Sequence, residues 1–134
     1  MDTALLLPMT AHVALAASLY VLLTVARAPA IWGIGRRADG SNPFASMEPR
    51  IGANLSNQFE WPLFFHVACV LLMLLGTSRT AVALAWLFIG GRLLHSTVQI
   101  LTTNVRLRGL VFTVKFLAVL GLWGVSLGMA LGRA

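Results

Sequence analysis

The chain has 134 residues, of which 58% are hydrophobic and only 10% are charged, whereas soluble domains carry about a quarter charged residues. A soluble domain of this size has too little interior to hide so much apolar surface, and a disordered chain needs low hydrophobicity. The mean hydropathy of +0.85 therefore excludes both classes and indicates a small integral membrane protein.

The net charge of +6 does not by itself predict a nucleic-acid partner. It results from 10 Lys and Arg against 4 Asp and Glu, and these cations are spread among apolar runs without forming a basic stripe. The one cysteine, Cys69, excludes an internal disulfide, and no spacing of His, Cys, Asp and Glu predicts a metal site. The chemistry of this chain is therefore expected at a metal-free site close to lipid.

Charge-poor runs predict four transmembrane helices, at about residues 4–26, 50–76, 80–103 and 109–131, within one domain over 1–134. A helix needs about 20 apolar residues to cross a bilayer, and the runs lack the alternation of membrane strands. The second helix is expected to begin with Ser46 as its N-cap and to carry a polar extension over 47–60. The expected fold is an all-α bundle of four transmembrane helices.

The distribution of arginine predicts the orientation in the membrane. Most arginines belong to the first or the third connection: Arg27, Arg36, Arg37, Arg50, Arg106 and Arg108. The opposite side has only Arg79 and Arg133. Because positively charged loops stay in the cytoplasm, the first and third connections are expected there, with both termini outside.

Two sets of polar side chains are spaced so that each set lies along one side of a helix. The first set occupies the polar extension: Arg50, Asn54, Asn57 and Glu60. The second set is assigned to the third helix: Arg92, His95, Gln99 and Arg106. On spacing alone, the first set can also be a solvated face at the membrane edge. Arg92 lies about 18 Å into the membrane and must instead face the bundle interior.

A guanidinium at that depth needs a partner, and distances along the two helices suggest one. Glu60 lies about 24 Å from the outer end of the second helix, and His95 lies about 22 Å from the same end of the third. We therefore predict a buried cluster of Glu60 with Arg92 and His95. An ion pair at this position can alternatively serve only to fix helix packing.

Three other ionisable residues are not expected to belong to a site. His12 and His66 are interpreted as lone imidazoles with a packing or interfacial role. Lys115 lies near the start of the fourth helix, and its long stem can carry the ammonium to the cytoplasmic face.

Two segments resemble the MAPEG family, the membrane-associated proteins of eicosanoid and glutathione metabolism. Residues 50–65, RIGANLSNQFEWPLFF, are similar to the second helix of its bacterial branch. Residues 86–96, WLFIGGRLLHS, and 102–106, TTNVR, are similar to the third helix and the loop that follows it. The resemblance covers about residues 5–130 and implies a homotrimer of four-helix protomers in a bacterial inner membrane.

The resemblance also implies that glutathione is held between protomers near the cytoplasmic face. The residues carried over as glutathione-binding are Arg50, Asn57, Glu60, Arg92, His95 and Gln99. Arg108 matches the family's thiolate-stabilising arginine and is carried over as the catalytic residue. Guanidinium groups suit the two carboxylates of glutathione, and the Glu60 carboxylate suits its ammonium.

Three functions are compatible with these residues. The first is a glutathione-dependent transferase or peroxidase that acts on lipophilic electrophiles from the membrane. The second is a non-catalytic lipid-binding or scaffold protein, because Gln99 stands where active relatives often have Tyr. The third is a small multidrug transporter, which is disfavoured because such proteins rely on an acid in the first span, and residues 3–26 contain none.

Overall fold

The computed structural model describes residues 2–132, and over this range the chain is all-helical. The helices follow in chain order: α1 Leu6–Trp32, α2 Glu48–Ser56, α3 Pro62–Leu75, α4 Arg79–Leu101 and α5 Val105–Ala130. Among the described residues, α1, α4 and α5 are long and apolar enough to cross a membrane, and α3 is a shorter apolar helix. This pattern confirms the predicted fold class, an all-α membrane bundle.

The second predicted span consists of two helices, because helical structure is interrupted between α2 and α3 at residues 57–61. We call this interruption the break. Pro62 opens α3, and it has no N–H to donate to the carbonyl four residues earlier, so the helical hydrogen bonds are interrupted there. Tight turns replace them, in which Gln58 and Phe59 donate to carbonyls three residues back. The prediction of one helix over 50–76, with an extension that is helical to residue 60, is therefore wrong.

The start of α2 also differs from the prediction, because Ser46 is not its cap. The preceding residues already form a turn, in which the amides of Met47 and Glu48 donate to the Phe44 carbonyl at 3.0 and 2.9 Å. This turn supplies the first helical hydrogen bonds, and no side chain caps the helix. The Glu48 carboxylate accepts a hydrogen bond from Arg27 Nε at 2.7 Å, which ties α2 to α1.

α1 extends beyond the predicted end at residue 26 and passes through Pro29. A proline in a helix removes one hydrogen bond, but here the ring is buried, and the Pro29 carbonyl accepts from Arg36 Nε at 2.7 Å. The helix ends at Gly33, whose φ of 71° is a left-handed conformation that glycine adopts without steric strain. Arg27 consequently lies on the helix itself.

The third connection is short and comprises only residues 102–104. α5 begins directly after it because the Asn104 side chain accepts a hydrogen bond from the Leu107 amide at 3.0 Å. Arg106 and Arg108 are therefore part of α5. The assignment of Arg106 to the polar stripe of the third helix was wrong, since α4 ends at Leu101.

The main apolar core lies where α3, α4 and α5 pack together. Its buried residues are Leu5, Phe65, Ala68, Cys69, Leu72, Ala81, Ala85, Phe88, Ile89, Ala118, Val119 and Leu122. The rings of Phe65 and Phe88 stack with their centroids 4.2 Å apart. A smaller core holds α2 against α1 and α4: Leu19, Leu23, Ala26, Ile51, Leu55 and Ile100. Together these contacts bring the 57–61 break against α4 and α5.

Glycine allows α4 and α5 to approach closely. A Cβ added at Gly91 would lie 3.0 Å from the Cβ of Lys115 and 3.3 Å from its backbone nitrogen. Small residues at such contacts are typical of helix packing in membranes. The orientation predicted from arginine stays a prediction, and Arg133, one of the two cations assigned to the outer side, lies outside the described residues.

Candidate functional site

Two adjoining grooves lie where the break after α2 faces α4 and α5. The larger, which we call the main groove, has a volume of about 340 Å³ and is lined by Asn57, Glu60, Trp61, His95, Gln99, Arg108, Phe112 and Lys115. The smaller, which we call the side groove, has a volume of about 300 Å³ and is lined by Pro49, Arg50, Ala53, Gln99, Thr102, Thr103 and Arg108. Every site residue predicted from the sequence lines one of these grooves, with the exception of Arg92.

Amide side chains of α2 and the break face α4, as their helical spacing predicted. Asn54 Nδ2 and Asn57 Nδ2 donate to Gln99 Oε1 at 2.8 and 3.3 Å. Ser96 Oγ donates to Asn54 Oδ1 at 2.8 Å, and this pair is buried. Because both bonds to Gln99 use its oxygen, the amide nitrogen of Gln99 is left as a donor for a molecule in the grooves.

The side groove takes its positive charge from Arg50. One guanidinium nitrogen, Nη1, donates to the Ile100 carbonyl at 3.3 Å, which holds the side chain against the end of α4. The remaining donors of the guanidinium are free to bind an anion, since an arginine offers five N–H groups. Arg108 is exposed and adds a second guanidinium at the boundary between the two grooves.

Arg92 lies behind the main groove and is completely buried. Its Nε donates to Gln58 Oε1 at 3.2 Å, and its Nη1 lies 3.4 Å from His95 Nδ1. Glu60 is exposed and forms no ion pair with any described residue. The prediction that Glu60 belongs to the buried cluster is therefore wrong. The break turns Gln58 toward Arg92 and leaves Glu60 at the surface of the groove.

The contact with Arg92 decides which nitrogen of His95 carries a proton. A guanidinium only donates hydrogen bonds, so Nδ1 accepts, and the proton of a neutral imidazole is then on Nε2. His95 is 4% exposed and lines the main groove. It can therefore act as an N–H donor toward a bound molecule while Arg92 holds its ring in place.

Gln58 also joins two histidines that were predicted to be lone residues. His12 Nε2 lies 2.9 Å from Gln58 Oε1, and His12 Nδ1 lies 2.9 Å from His66 Nε2. The interpretation of both imidazoles as isolated was wrong. No sequence signal could have found this network, because its members come from α1, α3 and the break before α3, and their contacts depend on how Gln58 turns at the break.

Lys115 departs most from its prediction. Its side chain is 2% exposed, and Nζ lies 4.8 Å from the centroid of the Phe112 ring. The side chain is buried rather than extended to the surface, because the close contact with Gly91 holds its stem against α4, and it lines the main groove. A helical signal was available: Lys115 follows Arg108 by seven residues, which places the two on one face of α5.

The charges of the two grooves suit a small anionic molecule that also carries an ammonium. Glu60 is the one carboxylate that lines them, against the guanidinium groups of Arg50 and Arg108 and the ammonium of Lys115. Within residues 2–132 there is no cluster of His, Cys, Asp and Glu that could hold a metal ion. The residues that line the grooves can bind an anion through hydrogen bonds and opposite charge.

Comparison with known proteins supports one family. The sequence profile of the MAPEG family matches residues 5–128, which include all five helices except the last two residues of α5. No curated protein and no solved structure matches the chain. The family includes glutathione transferases and peroxidases as well as other members. Because the match covers most of the chain and the fold is a helical membrane bundle, the protein belongs to the MAPEG family.

Proposed function

We propose that this protein is a membrane-bound, glutathione-dependent transferase or peroxidase that acts on lipophilic electrophiles. The observation that carries the proposal is the main groove, where one carboxylate and two cations, Glu60, Arg108 and Lys115, surround a space of about 340 Å³. Family membership supports it, because glutathione transferases and peroxidases are among the members. The bundle also lets a lipophilic co-substrate arrive through the bilayer.

Each charged group of glutathione has a complementary side chain in the two grooves. The ammonium suits Glu60, and the two carboxylates suit guanidinium groups, which form paired, charge-assisted hydrogen bonds. Arg50 in the side groove supplies one such group, and Arg108, which lines both grooves, is placed to bind either a carboxylate or the sulfur. Asn57, Gln99 and His95 add hydrogen bonds to the peptide portion, and Arg92 acts indirectly by holding His95.

The reaction needs a thiolate, because the thiolate and not the thiol is the nucleophile. A nearby cation favours ionisation, and Arg108 is the cation that the family resemblance places beside the sulfur. The sulfur then attacks an electrophilic carbon, a C–S bond forms, and the leaving group departs with the bonding electron pair. Holding both reactants in one groove supplies much of the rate.

The proposal includes the assembly and location that the resemblance implies. Glutathione would lie between protomers of a homotrimer near the cytoplasmic face of a bacterial inner membrane. Glu60 and Arg108 are both exposed on a single protomer, so a neighbouring protomer can cover the grooves and exclude water from the bound thiolate.

A second candidate is a non-catalytic lipid-binding or scaffold protein of the same fold. It is favoured by Gln99, whose amide cannot donate a proton as readily as the tyrosine hydroxyl of active relatives. The oxygen of Gln99 is also occupied by Asn54 and Asn57. Such a protein would retain membrane lipid but would not turn over an electrophile.

Thermal stability and turnover of the detergent-purified protein test both candidates. We expect glutathione to raise the midpoint of thermal unfolding, and a dinitrohalobenzene to be conjugated to it in the same preparation. Glu60→Gln should weaken the glutathione effect, because the ammonium loses its counter-charge. No shift and no conjugation with wild-type protein would contradict the enzymatic proposal, and retained lipid without turnover would favour the second candidate.

A further inference from the structure

Lys115 is a buried cation without an anionic partner among the described residues. Its side chain is 2% exposed, and no described residue forms a hydrogen bond or an ion pair with its ammonium. The contact with the Phe112 ring, 4.8 Å from Nζ, is weaker than an ion pair. A charged amine at a position with so little contact with water requires compensation. The main groove, which Lys115 lines, is where a bound anion can supply it.

Lys115 and Arg108 occupy one face of α5 at different depths. Seven residues correspond to nearly two helical turns, so the two positions are about 10.5 Å apart along the helix axis. Arg108 lies near the start of α5 and is exposed, whereas Lys115 is buried. The main groove therefore has one cation at its mouth and a second, desolvated cation further into the membrane-spanning part of α5.

α4 holds Lys115 at this position. A Cβ at Gly91 would lie 3.0 Å from the Lys115 Cβ, so the two helices are in contact at this level. His95 follows Gly91 by about one helical turn on α4 and lines the same groove. The ammonium lies over the Phe112 ring, 4.8 Å from its centroid, and Trp61 lines the same groove.

We propose that Lys115 is the cation in contact with the sulfur of bound glutathione, two turns deeper than Arg108. This inference rests on the proposed function. A charge in a buried, low-dielectric position stabilises an anion more strongly than an exposed one that water and salt screen. A sulfur at this depth also meets a co-substrate that arrives through the bilayer. Arg108 is then free to bind a carboxylate at the mouth.

The step at the sulfur is an ionisation. The S–H bond breaks, its electron pair stays on sulfur, and the proton is released to the solvent as glutathione binds. The free thiol has a pKa of about 8.5, so at pH 7 nearly all glutathione enters the groove with its proton. Binding as a thiolate must therefore release a proton to the solvent.

Proton release during binding tests this assignment. Purified protein in detergent is mixed with glutathione in weakly buffered solution at pH 7 with an indicator dye, and bound glutathione is counted by equilibrium dialysis of the radiolabelled compound. S-methylglutathione is the matched ligand, because it keeps both carboxylates and the ammonium but has no proton on sulfur. Wild-type protein should release protons to the solvent when it binds glutathione and none when it binds the methyl thioether.

Variants at the two cations separate the outcomes. Lys115→Met should still bind glutathione, with affinity within about tenfold, and should release few protons, whereas Lys115→Arg should retain release. Undiminished proton release from Lys115→Met would overturn the inference. Loss of S-methylglutathione binding by the same variant would also overturn it, because Lys115 would then bind a carboxylate of the ligand rather than its sulfur. Arg108→Gln changes an exposed residue and keeps the test decisive if Lys115→Met does not fold: abolished release with retained binding would place the sulfur at Arg108. Absence of glutathione binding to wild-type protein would instead refute the proposed function on which the inference rests.

Discussion

Gln58 is the residue on which the buried polar network depends. Its side-chain oxygen accepts from Arg92 Nε at 3.2 Å and contacts His12 Nε2 at 2.9 Å, while its nitrogen donates to Asn54 Oδ1 at 3.1 Å. The sequence predicts that Arg92 is buried and needs a partner, because a guanidinium at that depth is costly. It does not predict Gln58 as the partner, because helical spacing across residues 57–61 assumes a helix that Pro62 interrupts.

Removal of the Gln58 amide should destabilise the bundle more than removal of the Glu60 charge. Gln58→Leu leaves the Arg92 Nε without its acceptor, and a lost hydrogen bond to a buried charge costs about 2–3 kcal/mol. Glu60→Gln alters an exposed side chain without an ion pair and should change the free energy of unfolding by less than about 0.5 kcal/mol. Titration with sodium dodecyl sulfate in mixed micelles measures both. A larger loss of unfolding free energy for Glu60→Gln than for Gln58→Leu would contradict this structure and support the cluster predicted from the sequence.

At the scale of elements, charge-poor runs predict the ends of α4 and α5 to within four residues, whereas the predicted end of α1 at residue 26 is six residues short of Trp32. These runs report hydropathy, which decides whether a helix can span a membrane. Charge-poor runs do not show where helical hydrogen bonds are interrupted. They therefore predict neither the break before Pro62 nor the continuation of α1 through Pro29. The break matters for the site, because it exposes Glu60 to the main groove and turns Gln58 inward.

The contact between α4 and α5 should tolerate no side chain at Gly91. Gly91→Ala places a Cβ 3.0 Å from the Lys115 Cβ, and the backbone of α5 also lies within 3.3 Å, so the helices must separate. Overpacking of this kind costs about 1–3 kcal/mol. Gly90→Ala is a matched control, because nothing lies within 4 Å of its added Cβ and alanine favours a helix by up to about 1 kcal/mol. Equal unfolding free energies for the two variants would contradict the close approach.

At the scale of the whole molecule, the cations that give the charge of +6 include some bound within the chain and others that line the grooves. Arg36 and Arg27 are bound within the chain, to the Pro29 carbonyl and to Glu48, near the end of α1. Arg50, Arg108 and Lys115 line the two grooves instead. Composition alone indicates a membrane protein but does not separate these roles, because the burial of Lys115 depends on a helix contact that no charge count reports.

Orientation in the membrane is the prediction that belongs to this scale. The arginine-rich first and third connections should both lie in the cytoplasm, and the turn between α3 and α4 should lie outside. Single cysteines at exposed positions report this in intact bacterial cells: Ala38→Cys, Thr80→Cys and Thr103→Cys, each in a Cys69→Ala background. A membrane-impermeant maleimide should label the Thr80 position in intact cells and the other two only after permeabilisation. If the reagent instead labelled Ala38→Cys and Thr103→Cys in intact cells, the grooves at that end of the bundle would open outside, away from cytoplasmic glutathione, and the proposed site of reaction would be untenable.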